Sequence, residues 1–274
     1  MSLAQSSRRL ISSLGCARIA ALGRARDLNV SAAPREEAES ESVIPRLVVF
    51  GGRGFVGSHI CKEALGTGLH VVGISKSGTP PISGEPWIKD VEWIRGNVLE
   101  PQTYAHHLKG AVAAISCVGA FGSQEQMLRI NGTANVTAVE TCKAAGVPRF
   151  VFISATIPAI PGLDYLIGGY TKGKKAAEEA VLAHYPTGGV VLRPGVVYGN
   201  RVVSHTVTLP LGYLFGPLEM ALSQAPASMS SLPIIGGLLV PPVAVEVLAR
   251  AAVNAATSAS VSGVLGVPEI RAFK

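Results

Sequence analysis

Residues 48–59 read VVFGGRGFVGSH, an apolar run that breaks into glycine and restarts as a helical pattern. Gly51, Gly54 and Gly57 recur at every third position. Three glycines alone are a weak signal in a chain that holds 31 of them. Their position gives them weight, because the loop follows a β-branched run (RLVVF, 46–50) and opens an amphipathic segment. A strand, a glycine turn and a helix in that order make a cradle for a pyrophosphate. Gly51 would permit the tight turn, Gly54 would let the backbone approach a phosphate, and Gly57 would let helix and strand pack closely. The phosphate would then sit at the helix N-terminus, where free N–H groups and the helix dipole favour an anion. Gly52, Arg53, Phe55 and Val56 complete the expected loop.

Outward from the loop, short apolar runs alternate with helical patterns. Strands are expected at 46–50, 69–75, 91–98, 111–119, 150–155 and 189–195. Helices are expected from the loop to Gly66 or Gly68, over PQTYAHHLKG, from Glu125 to Ala145, and around Tyr170 to Tyr185. Strands separated by crossover helices must run parallel, so the expected fold is α/β, a doubly wound parallel sheet. After Tyr198 the pattern loosens into Pro- and Gly-rich segments with one clear helix at 243–256. The expected organisation is a leader over 1–34, a solvated acidic linker over 35–45, a dinucleotide-binding domain over 46–198, and a small substrate-side or interface lobe over 199–274 that completes the fold.

Composition narrows the function. Charged residues are 15% of the chain and apolar ones 48%, the balance of a packed globule. The net charge is +6, but Arg8, Arg9, Arg18, Arg24 and Arg26 face only Asp27 within residues 1–34. The rest is too weakly basic for nucleic acid, and no basic stripe with interleaved aromatics occurs. Arg, Ser and Ala with scarcely any acid are the composition of an organelle transit peptide, mitochondrial in the first instance and plastid in the alternative. No run of 18 clean apolar residues occurs, and prolines interrupt the greasy stretch 206–248, so no transmembrane segment is expected. Cys16, Cys61, Cys117 and Cys142 form no CxxC pair, and His59, His106 and His107 lack partners at ligand spacing. No metal site is expected.

The end of the second strand selects the cofactor. A carboxylate there would bind the ribose 2′-hydroxyl of NAD. Here the chain reads Ser75-Lys76-Ser77, and Arg53 in the glycine loop supplies a second cation. Two cations and two hydroxyls suit a 2′-phosphate, which favours NADP(H) over NAD(H).

These residues together resemble the extended and atypical short-chain dehydrogenase/reductase family. GGRGFVG (51–57) stands for its glycine signature, Tyr170-Thr171-Lys172-Gly173-Lys174 for its YxxxK motif, with Glu178 one turn on, and LRPGVVYG (192–199) for its RPG-type signature. The chain is similar to a mitochondrial branch that includes the 39-kDa accessory subunit of respiratory complex I and reductase-like proteins of coenzyme Q biosynthesis. It is also similar to plant and algal organellar proteins with an ISCVGGFGS-like stretch, here ISCVGAFGS (115–123).

The resemblance implies a Rossmann fold in which Tyr170 moves the proton, and Lys174, at i+4 on the same helix face, lowers the phenol pKa and holds the nicotinamide ribose. A hydroxyl that holds the substrate oxygen is expected after the fifth strand, where Ala155 falls at the family position with Ser154 and Thr156 beside it. Thr156 is the candidate. The family's helical Asn aligns with Arg129 when no gap is allowed, and Asn131 lies two residues away. Further implied cofactor contacts are Asn97, Val98, Cys117, Val118, Gly119, Pro194, Gly195 and Val196. The implied function is an organellar oxidoreductase acting on an apolar, quinone- or isoprenoid-like substrate, linked to ubiquinone biosynthesis or the respiratory chain. The alternative is a non-catalytic, nucleotide-stabilised accessory or assembly subunit of a membrane complex such as complex I. Either reading allows peripheral association with a membrane complex or membrane surface.

Overall fold

The computed structural model describes residues 44–158, 161–204, 207–210 and 240–274, with only the backbone considered for 200–210. The expected leader, most of the linker, and residues 211–239 of the expected lobe lie outside the described residues. Seven strands build one parallel sheet: β1 (Arg46–Phe50), β2 (His70–Ser75), β3 (Glu92–Arg95), β4 (Ala111–Ser116), β5 (Phe150–Ile153), β6 (Gly189–Leu192) and β11 (Gly263–Leu265). Their order is β11-β6-β5-β4-β1-β2-β3, so the chain starts in the middle and winds both ways. The doubly wound Rossmann architecture read from the sequence is the one observed.

β1 shows why the strands read as continuous apolar runs. Side chains alternate across a strand, and both faces of this sheet are covered. Leu47 and Val49 point into the layer formed with α1 (Phe55–Gly66) and α5 (Val245–Thr257). Val48 and Phe50 point into the opposite layer, with α3 (Ala134–Ala144) and α4 (Leu163–His184). All four side chains are fully buried.

Three local differences from the sequence expectation matter. PQTYAHHLKG forms two 3-10 turns, Pro101–Thr103 and Ala105–Leu108, not one helix. Tyr104 between them is fully buried and stacks edge-on against Phe50 at 5.2 Å, so burial of that ring fixes the break. The expected helix 125–145 is a run of α2 (Gln124–Leu128), a π-turn (Arg129–Thr133) and α3. The π-turn inserts one extra residue per turn and rotates everything before it relative to α3.

The third difference concerns the expected lobe. Its C-terminal part rejoins the sheet, where β11 extends the edge beside β6, α5 packs on α1, and α6 (Val267–Arg271) follows. Between β6 and α5 lie β7 (Val197–Tyr198), which pairs in parallel with β10 (Val243–Ala244), and the antiparallel hairpin β8 (Asn200–Ser204) and β9 (Val207–Pro210).

One close approach positions the site. A Cβ on Gly173 in α4 would lie 2.8 Å from the backbone nitrogen of Gly132, and one on Gly132 would lie 2.9 Å from the Cα of Gly173. The π-turn and α4 therefore touch backbone to backbone. Gly173→Ala should cost about 1–3 kcal/mol, read as a fall in Tm of about 2–4 °C per kcal/mol in thermal melts.

At the N-terminal end of the strands, Arg46 pairs with Glu92 at 2.8 Å, and His70 and His107 approach the same carboxylate at 3.6 and 3.7 Å. Burial, then the neighbouring His106, holds His107 below its ordinary 6.5. The folded state thus prefers neutral His107, and its contribution is complete above pH 6.5 and lost as pH falls through the lowered value. Denaturation followed from pH 7.5 to 5 should show stability declining in that window, and His107→Gln should flatten the decline.

Candidate functional site

The strand order reverses between β1 and β4, and ligands of open parallel sheets bind at the carboxyl ends of the strands at such a point. The glycine loop lies there. Gly51 takes the left-handed conformation at φ +76°, and its N–H donates to the Ile74 carbonyl at 2.8 Å. A Cβ on Gly57 would come within 2.2 Å of the Gly51 carbonyl oxygen, so only glycine closes this turn. α1 starts at Gly54 with no side chain capping it and no acid in its first turn. An uncapped helix start of this kind suits an anionic group.

The residues after β2 lie beside this loop. Ser75 and Ser77 build a turn in which Gly78 N–H donates to Ser75 Oγ at 3.2 Å, and Thr79 Oγ1 to Ser77 Oγ at 2.9 Å. Arg53 Nε reaches across to the Pro80 carbonyl at 3.2 Å. Arg53 and Lys76 are both exposed at the same turn, with no carboxylate among residues 75–80. This chemistry fits the phosphate-bearing end of a dinucleotide.

The other end of the site is a cavity of about 230 Å³. Of the residues expected at the cofactor, Val56, Cys117, Gly119, Pro194, Gly195, Tyr170 and Lys174 line it. Others stand apart. Val98 is buried in the core, and Asn97 spends its side chain locally, donating to Glu100 Oε1 at 2.6 Å and accepting from Leu99 N–H at 3.3 Å. Val118 offers its carbonyl to Asn135 Nδ2 at 3.2 Å, and Val196 is exposed.

Thr156, the expected third catalytic hydroxyl, is absent from the lining. It donates to the Arg193 carbonyl at 2.8 Å, tying the exit of β5 to that of β6. It lies beyond the last residue of β5, where that tie commits its hydroxyl. Ala155 lines the cavity with a methyl group. Ser154 lines it too, but its hydroxyl donates to Glu178, which also receives Arg193 Nε at 3.0 Å.

Lys174 is 5% exposed. Its Nζ donates to the Ile153 carbonyl at 2.7 Å and sits 4.5 Å over the Phe152 ring and 5.8 Å from the Tyr170 ring. Burial pulls its pKa down to about 8, against smaller upward effects of Cys117 and Glu178. Burial pushes the Tyr170 phenol up. It also pushes the Cys117 thiol up to about 12, so that sulfur is a packing group and not a nucleophile.

Two residues were not legible as site residues. Arg129 is exposed, whereas Asn131 is fully buried within the π-turn. Its amide clamps Ala120, accepting from Ala120 N–H at 3.3 Å and donating to the Ala120 carbonyl at 2.8 Å. A Cβ on Gly119 would meet Asn131 Oδ1 at 2.9 Å and Lys174 Nζ at 3.6 Å, so those two groups flank the same glycine. Phe121 lines the cavity with its ring stacked on Tyr170 at 4.8 Å and 10°. The sequence pointed to Asn131 only as a neighbour of Arg129, and no local pattern marks Phe121. Among the described residues no cluster of His, Cys, Asp and Glu could hold a metal ion, and no helix is long and apolar enough to cross a membrane.

A family model described as the NAD dependent epimerase/dehydratase family matches residues 47–211. An uncharacterized chloroplastic protein of Arabidopsis thaliana, At1g32220, is 42% identical over 229 residues, 82% of this chain and 76% of that protein. The 2-alkyl-3-oxoalkanoate reductase of Stenotrophomonas maltophilia (strain K279a) is 30% identical over 175 residues, 56% of this chain. The match spans about half of that reductase, 51% of its length. Among solved structures, a UDP-glucuronic acid 4-epimerase from Bacillus cereus in complex with NAD superimposes with a TM-score of 0.57 at 18% identity, covering 81% of this chain and 78% of that one. That likeness concerns the fold alone.

The Ser154–Glu178–Arg193 network welds α4 to β5 and β6 beneath the cavity. Glu178→Ala would leave a buried hydroxyl and a half-exposed guanidinium without their acceptor. A loss of about 2–3 kcal/mol is expected, below the 3–5 typical of breaking fully buried pairs, as measured by urea unfolding.

Proposed function

The chain belongs to the NAD dependent epimerase/dehydratase family, and from that premise we propose that it is an organellar NAD(P)(H)-dependent oxidoreductase acting on an apolar carbonyl compound or the matching alcohol. The observation that carries the reading is a titratable pair, Tyr170 and buried Lys174, at the wall of a mostly apolar cavity beside the uncapped helix of the glycine loop. A dinucleotide bound along the sheet edge would supply or accept the hydride, and the rest falls to the chain. Tyr170 moves the proton of the substrate oxygen. Lys174, still cationic at neutral pH, lies near enough to stabilise a phenolate, and the Ile153 carbonyl holds it in place. A phenol held above its ordinary pKa keeps its proton at neutral pH, which supports use as a donor in the reductive direction.

NADP(H) is the proposed cofactor, supported by the Arg53, Lys76, Ser75 and Ser77 cluster and the lack of a carboxylate there. The apolar lining by Val56, Ala120, Phe121, Ala155 and Val197 supports a quinone- or isoprenoid-like substrate, and with the family resemblance it supports a role near ubiquinone or the respiratory chain. The 2-alkyl-3-oxoalkanoate named for one relative is likewise a carbonyl compound with an apolar arm. The arginine-rich leader and the chloroplastic relative together support an organelle. Import assays with isolated mitochondria and plastids discriminate the two.

One observation favours a second reading. Ala155 puts a methyl where a substrate-holding hydroxyl is expected, and Ser154 is engaged by Glu178. A nucleotide-stabilised accessory subunit would need no such hydroxyl.

The test is NADPH oxidation by the purified chain with short-chain quinones and alkyl ketones. Tyr170→Phe should lower turnover at least about 100-fold while NADPH affinity stays within about threefold. Unchanged turnover would overturn the role given to Tyr170, and NADPH binding with no hydride transfer would favour the accessory subunit. Turnover should also fall as pH rises through about 8, the value to which burial lowers Lys174, because the cation is lost there. Lys174→Met should remove that limb along with most of the activity.

A further inference from the structure

Among the described residues the Tyr170 phenol oxygen has no hydrogen-bond partner. The second side-chain torsion of a tyrosine is broad, so the plane of this ring has to be fixed by what packs on it. Phe121 packs on it. The two rings lie nearly parallel, 4.8 Å between centroids and 10° between planes, which is an offset stack. Lys174 Nζ lies 5.8 Å from the same Tyr170 ring. Phe121 contributes little to the core, being 72% exposed. Its backbone is nonetheless anchored on both sides. Ala120 before it is clamped by the Asn131 amide through two hydrogen bonds, at 2.8 and 3.3 Å. Ser123 after it caps α2, accepting from Gln126 N–H at 3.3 Å while its own N–H donates to Gln126 Oε1 at 3.2 Å.

We propose that Phe121 is a positioning residue of the reaction: its ring, anchored through the clamp of Asn131 on Ala120, fixes the plane of the Tyr170 ring and so the direction in which the phenol offers its proton. The proposal rests on the oxidoreductase reading above for the proton transfer itself, and adds what aims it. Proton transfer needs the phenol within hydrogen-bond reach and in line with the substrate oxygen. A phenol with no polar partner of its own holds that line only if its ring is held, and a stacked neighbour holds it. Phe121 acts through Tyr170 and needs no contact with substrate. Because so little of Phe121 is buried, truncating it removes little packing, and an effect on turnover is separable from an effect on stability.

The test uses the full chain and two readouts. Fluorine NMR of the chain carrying 3-fluorotyrosine reports the stack, with the Tyr170 resonance identified as the one missing from Tyr170→Phe. The ring current of Phe121 acts on that resonance, so Phe121→Ala and Phe121→Leu should shift it while the other tyrosines stay in place. NADPH oxidation with a short-chain quinone reports the consequence. Phe121→Ala and Phe121→Leu should lower kcat about three- to tenfold, the range of a stacked aromatic pair, with KM for NADPH and for the quinone within about twofold. Phe121→Trp keeps an aromatic face and should recover most of the loss. Leucine keeps bulk and apolarity, so its failure to rescue separates stacking from simple filling of space. Thermal melts should place every variant within about 2 °C of wild type. An unmoved Tyr170 resonance in Phe121→Ala, full kcat in Phe121→Ala or Phe121→Leu, no recovery in Phe121→Trp, or a kcat loss that follows a larger fall in Tm would overturn the proposal. Absent turnover by wild type would instead overturn the oxidoreductase reading, and the fluorine resonance would still decide whether Phe121 holds the Tyr170 ring.

Discussion

A lysine ammonium taken out of water governs this structure. Lys174 is almost fully enclosed, and a buried cation is tolerated only where dipoles and opposite charge replace its hydration. The fold offers it the Ile153 carbonyl at the end of β5, the face of Phe152, the bare backbone of Gly119, and the carboxylate of Glu178 one helical turn on. These replace water incompletely, and desolvation still prevails, which is why burial lowers the lysine from its ordinary 10.5 to about 8. Those supports come from the end of β5, from the stretch after β4 and from α4 itself. The close approach of Gly132 and Gly173 lets the π-turn lie against α4, with Asn131 beside Gly119.

The same sheet separates two tasks by its two ends. At the N-terminal ends of β1, β2 and β3, charge is spent on holding strands together, with Arg46 on Glu92 and two histidines near the same carboxylate. At the C-terminal ends, the donors at the start of α1 and the cations Arg53 and Lys76 are not answered by carboxylates in the loop. Glu178 is the exception, and it is consumed by Ser154 and Arg193 below the cavity floor. The glycine loop and residues 75–80 thus carry cations and no carboxylate.

Most of the fold was legible because a parallel sheet covered on both faces leaves long apolar runs, and β1, β2, β4, β5 and β6 all show them. What local pattern could not give was anything set by tertiary contact. Residues 101–108 carry helix-compatible residues, but the demand to bury Tyr104 against Phe50 breaks them into two tight turns. β11 is three residues long and acquires its identity only by pairing with β6. Within the site, Tyr170 and Lys174 were legible because i, i+4 spacing on a helix already places them on one face. Asn131 was visible only as a neighbour of Arg129, because its clamp on Ala120 is a contact between segments distant in sequence. Thr156 was misplaced for a related reason, since a hydroxyl beside the right position in sequence faces a different way in space.

These misplacements constrain the chemistry together. With Ala155 at the wall, Ser154 held by Glu178 and Thr156 turned to Arg193, Tyr170 is the hydroxyl left to work beside Lys174 in this cavity lining. On the proposed oxidoreductase reading, a substrate oxygen entering here would meet one phenol, not a phenol and a second side-chain hydroxyl. Orientation must then come from shape and apolar contact, because a single hydrogen bond fixes a distance but not the plane of a carbonyl. On the oxidoreductase reading, the methyl of Ala155 and the apolar wall of Val56, Ala120 and Val197 would supply the positioning that a second hydrogen bond does not.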